Sequence, residues 1–279
     1  MPATRNRRKL NKAVQNVAFW WHSIDFGDGV VSDGRRTAEE LAAEWAALEL
    51  PDLAGKTVLD VGAWDGYFSF EAEKHGAARV VALDHHAWSI DLAGEQRYRE
   101  ECRASGTVPA APESVPELWR PGDLPGKAGF DTAHRALGSS VESVVGDFMG
   151  MDLDRLGTFD VVLYLGVLPH MRHPLLALER LARVTGELLV IATDALAVPG
   201  FEHHAFWEFF ETDGLDGDPT NWWVPNRRAV AALCRTAGFA RVQSRNDRRA
   251  QPPGNDALHR YRLIVRAWKQ PPDGGDALT

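Results

Sequence analysis

Two rhythms of apolar and polar positions run along the chain. Thr57–Val61, Phe159–Leu165 and Glu187–Thr193 are short, largely apolar runs, and Arg79–Leu83 and Val141–Gly146 read as further strands of the same set. Runs of this length and character suit strands buried in a parallel sheet. Between them, apolar residues recur at helical spacing. Thr37-Ala-Glu-Glu40 is a capping box, and Leu41, Trp45 and Leu48 then share one face of a helix that Pro51 ends. Tyr67–His75, about Trp88 to Ala104, Leu175–Val184 and Arg227–Ala237 read as further helices, the last stopped by Gly238. Phe239–Ser244 and Arg260–Trp268 flank a charged loop and suit an antiparallel pair. The alternation predicts an α/β protein.

Composition narrows this. The 279 residues, 44% hydrophobic and 25% charged, fit one large α/β domain with decorations. Residues 1–50 are expected to form an arm, an aromatic motif and a helix packed on the core. Residues 51–279 are expected to form the main domain, with insertions at 105–136 and 198–225. A net charge of −8 argues against unspecific nucleic-acid binding. Arg5, Arg7, Arg8, Lys9 and Lys12 form a basic run, either a solvated start or a phosphate-contacting arm. Only Cys102 and Cys234 are present, without metal spacing, which suits reduced thiols in a cytoplasmic protein. No apolar run reaches membrane length, and the start lacks a signal-peptide core. Residues 105–136, with five prolines, read as irregular chain, and Trp119 and Phe130 suit a substrate cover. Residues 270–279 read as a disordered tail.

The chemistry centres on Asp60-x-Gly62-x-Trp64-x-Gly66, a turn between a strand and a helix. Such a turn lets main chain approach a ligand closely. Asp84 closes the next strand about 20 positions beyond, where a ribose hydroxyl pair would be gripped. A dinucleotide fits poorly, because the third glycine of that fingerprint is missing and Trp64 would crowd a pyrophosphate. Asp147 and Phe148 follow another strand and suit an adenine. Val167–Pro174 follows Phe159–Leu165 and carries His170 and His173 as base, substrate contact or structural turn residues. No third ligand accompanies them, and His85 and His86 are adjacent, so no metal is expected. Phe19–Gly29 places Trp21, His22 and Asp25 either over a ligand mouth or as an anchor for the arm. Asn221, Trp222 and Trp223 suit a substrate wall or simple packing.

The glycine turn resembles the S-adenosylmethionine (SAM) loop of class I methyltransferases, with Trp64 where a middle glycine is usual. Trp21–Gly29, Leu59–Tyr67 and Leu165–Leu175 resemble one methyltransferase family, that of the tRNA wobble-uridine carboxymethyltransferases and their relatives. Asp218–Asn226 resembles the relatives. The resemblance implies a Rossmann-like, seven-stranded, mostly parallel sheet with helices on both faces and an antiparallel last strand. It implies that Asp60, Gly62, Trp64 and Gly66 form the cofactor loop, that Asp84 holds the ribose, and that Asp147 and Phe148 flank adenine. Leu165 and Gly166 would lie near the sulfonium. Two departures matter. Pro169 replaces a tyrosine usual before the turn histidine. The lysine and tyrosine with which the tRNA enzymes hold a carboxylated SAM have no match, and only Arg262 or Arg266 suits their arginine. Ordinary SAM is therefore expected.

The expected activity is methyl transfer to an oxygen or nitrogen of a small molecule. His170 is the first candidate base and His22 the second. Trp21, Asp25, His173, Asn221, Trp222 and Trp223 are the candidate acceptor contacts. A tRNA-modifying transferase is the alternative, with residues 5–12 and the arginines at 241–249 as its basic surface. A third reading is a protein that binds SAM without methyl transfer, either a regulatory binder or an enzyme using SAM for non-methyl chemistry. Oligomeric state is not legible.

Overall fold

The computed structural model describes residues 2–246 and 259–270, with side chains for 7–245 and 259–270. The expected tail beyond Gln270, the loop at 247–258 and two of the four arginines at 241–249, Arg248 and Arg249, lie outside the described residues. Seven strands form one sheet in the order β3-β2-β1-β4-β5-β9-β8. The pairs β1–β2, β2–β3 and β4–β5 are parallel, and β9 runs antiparallel to both its neighbours. This is the expected seven-stranded α/β architecture with an antiparallel last strand.

The chain divides into two compact units, Met1–Gly150 with Asp216–Pro219, and Met151–Leu215 with Thr220–Thr279. The first runs α1 (Pro2–Gln15), α2 (Ala38–Leu48), β1 (Thr57–Val61), α3 (Tyr67–Lys74), β2 (Arg79–Asp84), α4 (His86–Ser89), α5 (Leu92–Ser105), α6 (Ala128–Leu137) and β3 (Glu142–Val145). Its core joins Val58, Leu59, Val81 and Ala82 of the strands to Trp88, Phe130 and Leu41 of the helices, all buried. The capping box forms as expected, with Glu40 N–H donating to Thr37 Oγ1 and Thr37 N–H to Glu40.

The second unit runs β4 (Phe159–Leu165), α7 (Pro174–Val184), β5 (Thr185–Ala197), β6 (Trp207–Phe209), β7 (Trp223–Pro225), α8 (Arg227–Thr236), β8 (Arg241–Asn246) and β9 (His259–Trp268). Val161–Tyr164 and Leu189–Ala192 are wholly buried, as two-sided packing of a parallel strand demands. β6 and β7 form a small antiparallel pair within the insertion. Leu196, Leu215 and Val224 give it a core of its own, with Phe206 and Phe210 packed against them.

Four expectations change. The helix expected from Trp88 to Ala104 is two, because Ile90 is extended and Asp91 caps a new start by accepting from Gly94 N–H. The proline-rich stretch 105–136 is not wholly irregular. Its last residues enter α6, which buries Phe130 and Ala133 and ends at Gly138 in the left-handed region. The basic start is the helix α1, with Val14 buried and Arg7, Arg8, Lys9 and Lys12 exposed. β5 runs to Ala197, beyond the expected Thr193, because β9 pairs with it that far. No helix among the described residues is long and apolar enough to cross a membrane.

Candidate functional site

In the first unit, β1 delivers the chain into the glycine turn. Gly62, Trp64 and Gly66 all take left-handed backbone, with φ of 79°, 49° and 86°. That conformation costs a tryptophan about 1–2 kcal/mol. Three contacts hold it. Trp64 N–H donates to Asp84 Oδ2 at 3.0 Å, Trp88 Nε1–H donates to Trp64 O at 2.7 Å, and the indole lies flat on Trp21 at 4.6 Å and 4°. Gly66 opens α3 and leaves no room for a side chain, since a Cβ there would come within 2.7 Å of the Phe130 and Phe70 rings. Asp60 is buried and accepts from Ser69 Oγ at 2.6 Å, tying β1 to α3.

The N-terminal aromatic motif fastens onto this turn through Asp65. Its carboxylate is wholly buried, and Oδ2 accepts from Trp21 N–H at 2.6 Å and His22 N–H at 2.9 Å. Trp20 Nε1–H in turn donates to Val14 O of α1. His22 is itself buried, edge-on to Phe68 at 5.9 Å. Burial and then the Arg36 charge push its imidazole down to about 3, so the ring is neutral and is not ion-paired with Asp65 3.9 Å away. Asp25 is exposed and accepts from Gly27 N–H, shaping the turn that follows.

Asp84 ends β2 with its carboxylate buried, and Oδ1 accepts from Ala87 N–H at 3.1 Å. Burial raises its pKa, against the pull of the Trp64 N–H. Asp147, beyond β3, is exposed and accepts from Met149 N–H at 2.9 Å, while Phe148 is buried.

In the second unit β4 ends at Leu165, and Gly166 turns the chain with φ 79° and donates to Ala192 O at 2.7 Å. A one-turn 3₁₀ helix, Leu168–His170, follows. Two bonds fasten this turn to the insertion. Trp222 N–H donates to Pro169 O at 2.8 Å, and His170 Nδ1 lies 2.9 Å from Thr220 Oγ1 and 3.3 Å from Thr220 O. Arg172 stacks its guanidinium over Trp222 at 4.2 Å. Asn221 is buried and donates from Nδ2 to Leu215 O at 3.3 Å. Trp223 packs instead against Phe209 and Trp207 in the β6–β7 pair, and His173 is exposed at the start of α7. Arg262, rather than Arg266, is the arginine of β9 near the end of β4. Its guanidinium would lie 3.8 Å from a Cβ at Gly166, whereas Arg266 covers Trp268.

A family model described as a methyltransferase domain matches residues 34–244. The chain belongs to that methyltransferase family. SAM is accordingly its cofactor, and the fold is that of class I. The tRNA U34 carboxymethyltransferase of Pseudomonas aeruginosa is 28% identical over 193 residues, 68% of this chain and 46% of that protein. The ribosomal protein L11 methyltransferase of Aeromonas hydrophila is 35% identical over 92 residues, 33% of this chain and 27% of that protein. The methyltransferase chain thus spans between about a quarter and about half of these curated relatives. Among solved structures, the N-terminal domain of EvdMO1 with SAH bound superposes with a TM-score of 0.55 at 16% identity, covering 94% of this chain and 97% of that one. Against the longer EvdMO1 structure the methyltransferase covers 48%.

The sequence reading of this methyltransferase passed over Asp65, Thr220 and Arg172. An acid inside a turn flanked by tryptophan and glycine was the available signal for Asp65; Thr220 and Arg172 offered none beyond their neighbours. The buried acids have a measurable consequence. Burial pushes Asp60 up to about 7, with the Asp84 charge adding and the Ser69 hydroxyl opposing. An aspartate in an unfolded chain titrates near about 3.9. Between those values the folded state holds more protons, so stability falls as pH rises and levels off above about 7. Denaturant unfolding of the cofactor-free protein and of Asp60→Asn should therefore diverge, the wild type losing ground to the variant from about pH 4 to about pH 7. A gap independent of pH would refute the raised acid.

Proposed function

We propose that the chain transfers the methyl group of SAM to an oxygen or nitrogen of a small-molecule acceptor, with His170 as the base. The observation that carries this is the ledge in the second unit, where the turn after β4 and residues 220–222 are bonded together around His170, beside the Arg172–Trp222 stack. A histidine has the proton affinity that removing a proton near neutral pH requires. His22, buried and pushed down to about 3, suits that role less well. The net charge of −8 favours a small acceptor over a polyanion. D-fucose, a small sugar, accompanies SAH in one EvdMO1 structure, of TM-score 0.54.

The first unit's residues fit the cofactor. Gly62 and Gly66 give side-chain-free, left-handed main chain beside Asp84, a carboxylate that suits ribose hydroxyls. Asp60, Trp64, Asp147 and Phe148 keep the cofactor roles expected of them. Bound SAM supplies an electrophilic methyl carbon on a cationic sulfur. The chain's residues hold and orient it, and much of the acceleration comes from that positioning. Asp84→Ala should weaken SAH binding by roughly tenfold to a hundredfold, the loss of charge-assisted bonds worth about 1.5–3 kcal/mol. Unchanged affinity by calorimetry would remove Asp84 from the ribose.

The activity itself is tested with SAM carrying a labelled methyl group in host extract. Label in a small molecule supports the proposal and identifies the acceptor by mass. Label in RNA would replace it with the tRNA reading, which the P. aeruginosa relative and the exposed basic residues of α1 favour. SAH binding without transfer would point to other uses of SAM.

A further inference from the structure

We propose that Thr220 is a positioning residue that sets the tautomer of His170, holding the proton on Nδ1 and leaving Nε2 as the basic nitrogen. The inference rests on the reading of His170 as the base and adds what prepares it for that task.

The geometry decides which nitrogen carries the proton. Nδ1 faces two oxygens of one residue, the hydroxyl at 2.9 Å and the main-chain carbonyl at 3.3 Å. A hydroxyl can give or take a hydrogen bond, but a carbonyl oxygen only accepts. With the proton on Nδ1, one N–H is shared between both acceptors. With the proton on Nε2, the Nδ1 lone pair would face the carbonyl lone pairs at 3.3 Å, an unfavourable contact in a partly buried place. The neutral ring therefore carries its proton on Nδ1. A hydrogen bond to one imidazole nitrogen setting the role of the other is the general means by which histidine bases are oriented.

The surroundings fix Thr220 in turn. It is buried, and its successor Asn221 is buried and bonded to Leu215 O. One residue further on, Trp222 N–H donates to Pro169 O, the residue before His170. Pro169 gives that stretch a fixed φ. The ring is thus held from both sides, by its own turn and by residues 220–222. On this view the end of the insertion, besides forming a wall, carries the group that readies the base.

The test reads the tautomer directly and needs no acceptor. In protein labelled with ¹⁵N-histidine, His170→Gln deletes and so assigns the His170 signals. Near neutral pH we expect Nδ1 in the protonated position and Nε2 in the unprotonated one. The reverse order in the wild type would overturn the proposal. Thr220→Val removes the nearer acceptor and leaves only the carbonyl at 3.3 Å, so the preference for the Nδ1-protonated form should weaken, while Thr220→Ser should restore it. In the labelled-methyl assay Thr220→Val should slow transfer about tenfold and Thr220→Ser recover it, with SAH affinity unchanged in both. If Thr220→Val leaves both tautomer and rate as in the wild type, the residue only packs. If the tautomer is as expected but His170→Gln transfers at the wild-type rate, the base reading fails while the assignment of the proton stands.

Discussion

Replacing Asp65 by alanine is expected to lower the thermal midpoint by roughly 5–15 °C, an effect on the scale of truncating a large core side chain. The reason is the number of donors it leaves behind. Asp65 Oδ2 accepts from the main-chain N–H groups of both Trp21 and His22, and the carboxylate is wholly buried. Each unsatisfied buried donor costs about 1–3 kcal/mol. Asp65→Asn retains an acceptor in the same place and should recover most of the loss. Because Trp21 lies flat on Trp64, release of the motif should also abolish the circular-dichroism signal of the coupled indoles. An Asp65→Ala protein that melts like the wild type and keeps that signal would show that the aromatic stack alone fastens the motif to the turn.

Gly66→Ala should be nearly as damaging, by a different route. The residue sits at φ 86°, and an added Cβ would come within 2.7 Å of the Phe130 and Phe70 rings. Both rings are buried and lie against each other at 5.3 Å, so neither has room to retreat. Overpacking costs about 1–3 kcal/mol and left-handed backbone about 1–2 kcal/mol more. The expected loss is therefore about 2–5 kcal/mol, with SAH binding weakened in the fraction that folds. Gly138→Ala is the control. It has a similar left-handed φ of 63° with nothing within 4 Å of its Cβ, so only the backbone cost of about 1–2 kcal/mol applies. Equal losses in the two variants would show that the phenylalanine rings yield.

Much of the frame was legible because it is written locally. The apolar runs of β1 and β4, the glycines after β1, and the spacing from Gly62 to Asp84 each lie within one stretch of sequence, and period and turn chemistry suffice to read them. The α4–α5 break was not read, because the signal at Asp91 is a single capping side chain inside a continuous helical rhythm. α6 was hidden by the prolines before it, although Gly138 marks its end. The candidate site was read less completely for a similar reason. Asp65 is explained by donors 43 and 44 positions earlier, and Thr220 bonds a ring 50 positions before it. Neither pairing leaves a trace in local pattern. The family resemblance supplied the cofactor, and no residue pattern supplied the acceptor.

The pairing of β5 with β9 is longer than its support. β4 accompanies β5 as far as Ala192, and β8 accompanies β9 from Leu263, yet β5 and β9 stay paired to Ala197 and His259. Among the described residues, no third strand flanks Asp194–Ala197 and His259–Arg262. This stretch is a two-stranded ribbon, and Leu196 roots it in the small core of Leu215 and Val224. Ribbons of two strands are marginal alone. Native-state hydrogen exchange should resolve the strands into two opening units, with amides near Leu189 and Val265 released only by global unfolding and those of the ribbon exchanging with the insertion through a smaller opening. Truncating Leu215 or Val224 should then loosen the insertion and the ribbon together, through Leu196, before the rest of the sheet opens.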